Sequence, residues 1–320
     1  MKFLVVGAGA VGGVVGARLS ASHDVTLVAR GAHLDAIRTR GLTVHAPTGT
    51  EVVRIAVSDT AHHHHLDADT IVLLAVKTND VADAVRSLAL VAPPSTPIVC
   101  MTNGIEAERL ALRWFHRVYG MCVYSSSAFL EPGVVEAWGE PVAGMYDLGC
   151  YPGGRDATCD AIAAAFEGAR MSSLVFADIM RWKRGKLLFN LSNAIDALCG
   201  PSGRTHPLVD ELRAEARRCY TAAGLSTTND DEMAARRGEY RSGQIAGRTR
   251  NGGSTWQSLS RGAHVLECEY LNGEIALLGR MHGVPTPTND ALLREVTRAA
   301  ASGTPAGSIT LDDLTARLGV

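Results

Sequence analysis

Lys186, Asn190 and Asn193 are spaced i, i+4 and i+7 in a stretch whose other residues are mostly apolar. On a helix, these three polar side chains share one face. The many leucine, isoleucine and alanine neighbours are unusual for a helix that faces water. An ammonium group in such surroundings needs partners or a shifted pKa, and it is suited to donate a proton to a carbonyl oxygen. Taken alone, the pattern indicates either a buried site of this kind or an ordinary amphipathic helix.

A glycine-rich segment near the start of the chain is the second pattern with chemical consequences. It consists of Gly7, Ala8, Gly9, Ala10, Val11 and Gly12, which is GxGxxG. The first glycine allows a tight turn, the second lets the backbone approach a pyrophosphate, and the third lets a helix pack closely on a strand. The apolar run Lys2–Val6 precedes the segment, and a helical pattern and a second strand pattern, Asp24–Ala29, follow it. This βαβ context predicts a dinucleotide site with the pyrophosphate at the helix N-terminus.

The residue after the second predicted strand bears on which dinucleotide is expected. NAD sites usually have Asp or Glu at this position, but here it is Arg30, and the first carboxylate comes only at Asp35. A guanidinium group suits a 2′-phosphate by its charge and by its forked donors. We therefore expect NADP(H), with a solvated loop residue as the other interpretation of Arg30.

The predicted elements that must position these residues change character partway along the chain. Strand and helix patterns alternate as far as Met171–Phe176, and two of the strands, Thr70–Val76 and Pro97–Met101, are nearly all apolar. From Asp178 onward only helical patterns follow, at Ile179–Cys199, Leu208–Ala223, Thr255–His282 and Asn289–Ala301. The predicted fold class is α/β, with an N-terminal Rossmann-type dinucleotide-binding domain at residues 1–177 and a C-terminal all-helical domain at residues 178–320.

The overall composition narrows the class of protein. The 320 residues are 46% hydrophobic and 20% charged with a net charge of −2, which gives no indication of a nucleic-acid partner. Seven scattered cysteines without a CxxC pair fit a reducing compartment. We see no signal-peptide pattern and no apolar run of the ~18–20 residues that a membrane span needs. We therefore expect a cytoplasmic protein without a membrane partner.

A run of four histidines, His62-His63-His64-His65, resembles a metal-binding tract. It has no cysteine or carboxylate cluster nearby at ligand spacing. We therefore interpret it as an exposed loop and expect no functional metal.

Several segments, in order, resemble the ketopantoate reductase family (2-dehydropantoate 2-reductases), and the resemblance covers essentially the whole chain. The matching segments are Gly7–Gly12, Ala75-Val76-Lys77-Thr78, Thr102-Asn103-Gly104, Glu131-Pro132-Gly133-Val134-Val135, Lys186-Leu187-Leu188-Phe189-Asn190, Ser254-Thr255-Trp256-Gln257, Glu267–Gly273 and His282–Pro287. The resemblance implies NADPH-dependent reduction of a 2-oxo acid to a 2-hydroxy acid, above all of 2-dehydropantoate to pantoate in pantothenate biosynthesis.

The resemblance also implies roles for residues around the substrate. Lys186 matches the family's catalytic lysine, which donates a proton to the ketone oxygen during hydride transfer. Glu267 matches the acidic partner that binds the substrate hydroxyl. Ser254 matches a contact to the substrate carboxylate, and Asn190 matches a substrate-binding asparagine. In structural terms, however, Ser254 and Gln257 also form the Ser-x-x-Gln pattern of a capping box, and Glu267 could be a surface carboxylate.

For the cofactor, the resemblance implies that Lys77 and Asn103 line the cofactor and active-site region and that Arg30 contacts the 2′-phosphate. Lys77 follows a predicted buried strand at its carboxyl end, the edge where open α/β sheets bind ligands. Asn103 also belongs to an Asn-Gly turn signal, so a purely structural role remains open for it.

Three positions depart from the family pattern. Arg184 stands where a tryptophan usually precedes the catalytic lysine by two residues, and this leaves Lys183 as a competing lysine. The family's second asparagine would fall at Ala194, with Asn193 as the nearest substitute, and a commonly acidic position is Ser258. The departures surround the substrate, so a different keto substrate is one alternative and a non-catalytic NADP(H)-binding sensor is another. A homodimer formed by the apolar C-terminal helices is a further expectation.

Overall fold

The structure is a computed structural model that describes residues 1–61, 66 and 69–319. The predicted exposed loop at His62–His65 lies outside the described residues. The strands are β1 Lys2–Val6, β2 Asp24–Val28, β3 Leu42–Ala46, β4 Gly49–Val53, β5 Ala56–Ser58, β6 Thr70–Leu74, β7 Ile98–Cys100, β8 Val118–Tyr124, β9 Ser127–Ala128, β10 Val134–Ala137, β11 Gly139–Glu140, β12 Met145–Cys150 and β13 Arg241–Ser242.

The α-helices follow the strands in the first part of the chain and then continue without them. They are α1 Ala10–Leu19, α2 Gly31–Arg40, α3 Val81–Ala89, α4 Ala107–Leu112, α5 Ala157–Gly168, α6 Ile179–Asn190, α7 Asn193–Cys199, α8 Leu208–Ala222, α9 Asp230–Arg237, α10 Ser254–Ser260, α11 Asn272–His282, α12 Pro287–Ala301 and α13 Leu311–Leu318. Short 3-10 helices lie at Thr78–Asp80, Pro201–Thr205 and Glu267–Tyr270. Among the described residues, no helix is both long enough and apolar enough to cross a membrane.

A seven-stranded sheet in the order β12-β8-β7-β6-β1-β2-β5 organises the first part of the chain. Its strands run parallel except β12, which pairs antiparallel with β8. Neighbouring residues of β1 enter opposite hydrophobic clusters, Phe3 and Val5 on one face and Leu4 and Val6 on the other. Burial on both faces is what the continuous apolar run of β1 predicts. The predicted α/β fold class is confirmed.

Contacts divide the chain into two compact units. The first comprises Met1–Lys183 and Asp231–Thr249, and the second comprises Arg184–Asp230 and Arg250–Val320. The change from alternating strand and helix patterns to helical patterns instead predicts a first domain that ends at residue 177, with all later residues in the second. Residues 231–249 belong to the first unit because β13, which lies among them, pairs with β11, about 100 residues earlier in the chain.

Two ion pairs also hold residues 231–249 against the rest of the first unit. Arg236 Nε lies 2.8 Å from Asp147 Oδ2, and Arg248 Nη1 lies 2.6 Å from Glu136 Oε1. Asp147 and Glu136 are both buried. A buried carboxylate requires a paired donor, so these contacts hold the segment in place, although no local pattern in the sequence indicates them.

Two helices predicted as continuous are interrupted. The predicted helix Ile179–Cys199 ends at Asn190 and resumes as α7, and Ser192 Oγ donates a hydrogen bond to the Phe189 carbonyl at the break. Such a side chain competes with the helical backbone for its hydrogen bonds. The predicted helix Thr255–His282 is three separate elements, because α10 ends where Gly262 adopts a φ of +74°. A glycine in this conformation is a common helix stop.

A buried polar network holds the helices of the second unit. Glu215 on α8 is fully buried, and its oxygens accept the backbone amides of Thr288 and Asn289 in the first turn of α12 at 2.8 and 3.0 Å. Asn272 on α11 donates from Nδ2 to Asn289 Oδ1 and to the carbonyl of Leu191. The network therefore satisfies the start of α12 and the carbonyl exposed at the break after α6.

Candidate active site

The glycine-rich segment forms the turn between β1 and α1. The geometry explains in a different way why glycine suits each of positions 7, 9 and 12. Gly7 has a φ of +103°, and its amide and that of Ala8 donate to the Val28 carbonyl at 3.2 and 3.1 Å. A Cβ on Gly12 would lie 2.0 Å from the Gly7 carbonyl oxygen. A Cβ on Gly9 would meet no described atom within 4 Å. The turn is tight at Gly7, closely packed at Gly12 and open at Gly9, which fits a backbone approach to a pyrophosphate.

The other predicted cofactor residues follow strands on either side of β1. Arg30 is exposed and lies at the N-cap position of α2, just after β2. Lys77 follows β6, and Asn103 follows β7. Thr78 Oγ1 donates to the Asn103 carbonyl at 3.2 Å, so the two loops are joined. Because β7, β6, β1 and β2 are adjacent and parallel, the loops and the glycine turn meet at one carboxyl edge of the sheet.

A different cavity, of about 1110 Å³, opens at the other edge of the same sheet. Its lining includes Lys2, Asp24 and Ile71, which lie at the amino ends of β1, β2 and β6. Open parallel sheets bind ligands at the carboxyl ends of their strands. We therefore assign the candidate site to the glycine turn, not to this cavity.

Lys186 and Asn190 lie one helical turn apart on α6 and are both half-buried. Next to Lys186, a Cβ on Gly185 would lie 1.9 Å from Thr228 Oγ1, so this glycine allows the helix to approach that segment closely. The Oδ1 atom of Asn190 is buried and has no hydrogen-bond partner in the described part of the chain. A buried amide oxygen without a partner is costly, and a bound polar group would satisfy it.

Asn193 does not lie on the same helix as Lys186. It is the first residue of α7 and is buried, so the i, i+7 relation that the sequence suggested is interrupted by the turn at residues 191–192. Glu267 is also buried, with 6% exposure, at the start of its 3-10 helix. The interpretation of Glu267 as a surface carboxylate is therefore wrong.

Ser254 begins α10, but the capping box predicted for it with Gln257 is not formed. Gly253 occupies the N-cap position, with an extended backbone and no capping side chain. The Gly253 amide donates to Asp196 Oδ2 at 2.7 Å, and Arg204 Nη2 donates to the same oxygen at 2.8 Å. A Cβ on Gly253 would lie 2.2 Å from Arg204 Nη2 and 3.0 Å from Asp196 Oδ2, so a side chain there would displace the guanidinium from this carboxylate.

Asp196 therefore fixes the backbone just before Ser254, and it is not among the candidate residues predicted from the sequence. Its carboxylate is fully buried on α7, among alanine, leucine and isoleucine. A single carboxylate in such an apolar stretch, three residues after Asn193, was the available signal. In the described structure, Asp196 joins the helix that contains Asn193 to the start of the helix that contains Ser254.

Replacing Asp196 tests this connection. Asp196→Ala removes two hydrogen bonds and leaves the Gly253 amide buried, so we expect the free energy of unfolding to fall by about 1–3 kcal/mol. Denaturant unfolding measures the change. The matched control is Asp210→Ala, which removes an exposed carboxylate in the first turn of α8 and is expected to cost less than about 1 kcal/mol. Equal effects of the two substitutions would contradict the role given to Asp196.

The competing lysine, Lys183, has a different environment. It is 3% exposed, its ammonium contacts the fully buried carboxylate of Glu108, and it donates to the Thr102 carbonyl at 3.2 Å. A buried ammonium held by a carboxylate is poorly suited to donate a proton to a substrate. The pair instead supports the backbone next to Asn103, a contact that no spacing in the sequence suggested.

Three other side chains have the composition of a metal site. The potential ligand atoms of Cys150, Asp156 and Cys159 lie within 4.8 Å of one another. Asp156 already caps α5 by accepting the Cys159 amide at 2.8 Å, and it accepts the Tyr119 hydroxyl. Burial raises the pKa of the Cys159 thiol to about 12, which opposes formation of the thiolate that a metal binds. We interpret the trio as a helix cap packed against two thiols.

Known proteins match this chain along nearly its whole length. The family description "Ketopantoate reductase PanE/ApbA" matches residues 3–153, and its C-terminal counterpart matches residues 178–300. A 2-dehydropantoate 2-reductase of Mesorhizobium japonicum is 30% identical over 94% of this chain and 98% of its own length.

Solved structures match the fold to the same extent. A PanE/ApbA family ketopantoate reductase from Ralstonia eutropha JMP134 has a TM-score of 0.77 and 25% identity over 95% of this chain and 99% of its own. A D-mandelate dehydrogenase solved with NADH and anilino(oxo)acetate has a TM-score of 0.79 at 19% identity, covering 95% of this chain and 100% of its own, and so shares the fold. The family matches and the relative of similar length together show that the chain belongs to the ketopantoate reductase family.

Proposed function

We propose that the chain is an NADPH-dependent reductase that converts a 2-oxo acid to the corresponding 2-hydroxy acid. Within this class, 2-dehydropantoate is the first candidate substrate. The observation that supports this most is the pair Lys186 and Asn190, which lie one turn apart on α6 in the second unit. The amide oxygen of Asn190 is buried and has no hydrogen-bond partner among the described residues. A hydrogen-bond donor on a bound substrate would satisfy this oxygen.

The carboxyl edge of the sheet fits a dinucleotide. The open backbone at Gly9 gives room for a pyrophosphate, and the exposed guanidinium of Arg30 suits a 2′-phosphate. When bound, the reduced nicotinamide supplies a hydride. In the proposed reaction, Lys186 donates its proton to the carbonyl oxygen, and the ammonium stabilises the negative charge that develops there. Ser254 and Asn190 hold the substrate, and Glu267 binds its hydroxyl.

Loss of NADPH absorbance, followed with a panel of 2-oxo acids, tests the proposal. Turnover of 2-dehydropantoate well above the other acids is the expected result. Turnover of another acid instead would mean that Arg184, Ala194 and Ser258 have changed the substrate. Dinucleotide binding without turnover of any acid would contradict the enzymatic proposal and favour a sensor. The cytoplasmic location and the homodimer remain predictions.

Cofactor preference has a separate test. Arg30→Ala removes the proposed partner of the 2′-phosphate, so we expect the KM for NADPH to rise roughly 10- to 100-fold while the KM for NADH changes little. Arg38→Ala, which removes an exposed arginine within α2, is the control and should alter neither value by more than about twofold. An equal loss for both dinucleotides would show that Arg30 does not recognise the phosphate.

A further inference from the structure

His33 connects the glycine turn to a second motif of the first unit. Its Nε2 lies 2.8 Å from the Ala8 carbonyl oxygen, and its Nδ1 lies 2.8 Å from the Gly133 amide nitrogen. The side chain is buried, and its ring lies 4.4 Å from that of Phe129. The imidazole therefore bridges the glycine-rich turn and the Glu131–Val135 segment, which are far apart in the sequence.

The two contacts determine the protonation of the ring. The Gly133 amide can only donate, so Nδ1 must accept and has no proton. The Ala8 carbonyl can only accept, so Nε2 must donate. Only the neutral Nε2–H tautomer satisfies both. Burial lowers the pKa of His33, which favours this neutral form.

Both partners of His33 have fixed backbones. Gly133 has a φ of +82°, and a Cβ there would lie 2.7 Å from the Cβ of Ala36 on α2. Its carbonyl accepts the amide of Thr43 at 2.9 Å. The Gly133 amide therefore holds the imidazole of His33 in a fixed position, and the imidazole in turn holds the Ala8 carbonyl.

We propose that His33 is a positioning residue of the dinucleotide site, which holds the Ala8–Gly9 peptide so that the Gly9 amide faces the pyrophosphate. The proposal rests on the dinucleotide site proposed above. The Ala8 carbonyl and the Gly9 amide belong to one planar trans peptide, so they point in opposite directions. A hydrogen bond that fixes the carbonyl on the protein side therefore aims the N–H at the open side of the turn. Among Gly7, Gly9 and Gly12, it is at Gly9 that a Cβ would meet no described atom within 4 Å, so a phosphate oxygen has room to approach there.

Three substitutions separate the two bonds of His33. His33→Leu removes both bonds, His33→Gln places an amide where Nε2 lies and can keep the bond to Ala8, and His33→Asn places one where Nδ1 lies and can keep the bond to Gly133. We expect the dinucleotide Kd, measured by fluorescence titration with NADPH, to rise about tenfold in His33→Leu and His33→Asn. His33→Gln should restore an affinity within about threefold of the wild type.

Two controls distinguish positioning from general stability. Ile162→Ala removes a fully buried side chain on α5, which packs on β12, the strand at the far edge of the sheet from β5. It should lower Tm without changing the Kd of the folded protein. At saturating NADPH, kcat of the histidine variants should fall far less than the KM for NADPH rises, because the Gly9 amide acts in binding.

The outcomes have separate meanings. A wild-type protein that binds no dinucleotide would defeat the proposed function itself. A wild-type protein that binds NADPH while His33→Leu binds it equally tightly would overturn only the inference about His33. Equal affinity of His33→Asn and His33→Gln would also overturn it, since the bond to Ala8 would then have no effect on binding.

Discussion

Lys186→Ala is expected to lower kcat by between about a hundredfold and ten-thousandfold, while the Kd for NADPH should stay within about twofold of the wild type. Lys186 is half-buried on α6, one turn before Asn190, and it is the proposed donor of the proton to the substrate oxygen. Without its ammonium, the negative charge that develops on that oxygen loses both its proton source and its electrostatic partner. The dinucleotide site is formed by other elements, so its affinity is not expected to change.

Steady-state kinetics with the best acid of the panel, together with NADPH titration, measure the two effects. Lys183→Met is the matched control, because it removes the competing ammonium from the same helix. We expect this variant to be less stable, since Glu108 is left buried without its partner, but to lose far less kcat per folded molecule than Lys186→Ala. If kcat of Lys186→Ala changed by less than about tenfold, the assignment of the proton donor would be wrong.

Gly9→Ala is expected to weaken NADPH binding, whereas Gly12→Ala is expected to lower the stability of the fold. At Gly9 the backbone has a φ of −70°, and a Cβ meets no described atom within 4 Å, so the variant should fold with a Tm close to the wild type. Its methyl group would nevertheless occupy the space where the pyrophosphate approaches the backbone. We therefore expect the Kd for NADPH to rise at least about a hundredfold, equivalent to about 2.7 kcal/mol.

At Gly12 the clash is with the protein itself. A Cβ 2.0 Å from the Gly7 carbonyl oxygen forces the turn or the helix to move, so we expect the free energy of unfolding to fall by about 1–3 kcal/mol, the usual cost of an overpacked site. Thermal unfolding and NADPH titration of both variants check the contrast. A Gly9→Ala protein that binds NADPH normally would exclude the glycine turn as the pyrophosphate site.

Local patterns were sufficient for much of the fold. The two-sided burial of β1 follows from its continuous apolar run, and GxGxxG predicted the turn and the start of α1. These features depend on residues close in sequence, where side-chain periodicity and glycine conformation limit the backbone directly. The break at residues 191–192 could not be predicted, because the apolar periodicity continues across it. The hydrogen bond from Ser192 Oγ to the Phe189 carbonyl, which competes with the helical backbone, leaves no pattern in the sequence.

The sequence by itself determined the α/β fold class, the glycine turn with Arg30 after the next strand, and the candidates Lys186, Asn190, Ser254 and Glu267. Only the tertiary structure showed the residues that support them: His33 behind Ala8, Asp196 before Ser254, and the Lys183–Glu108 pair beside Asn103. Each of these contacts joins residues at least 25 positions apart. A buried polar group needs a partner but does not specify where in the chain that partner lies, and only the folded backbone supplies that information.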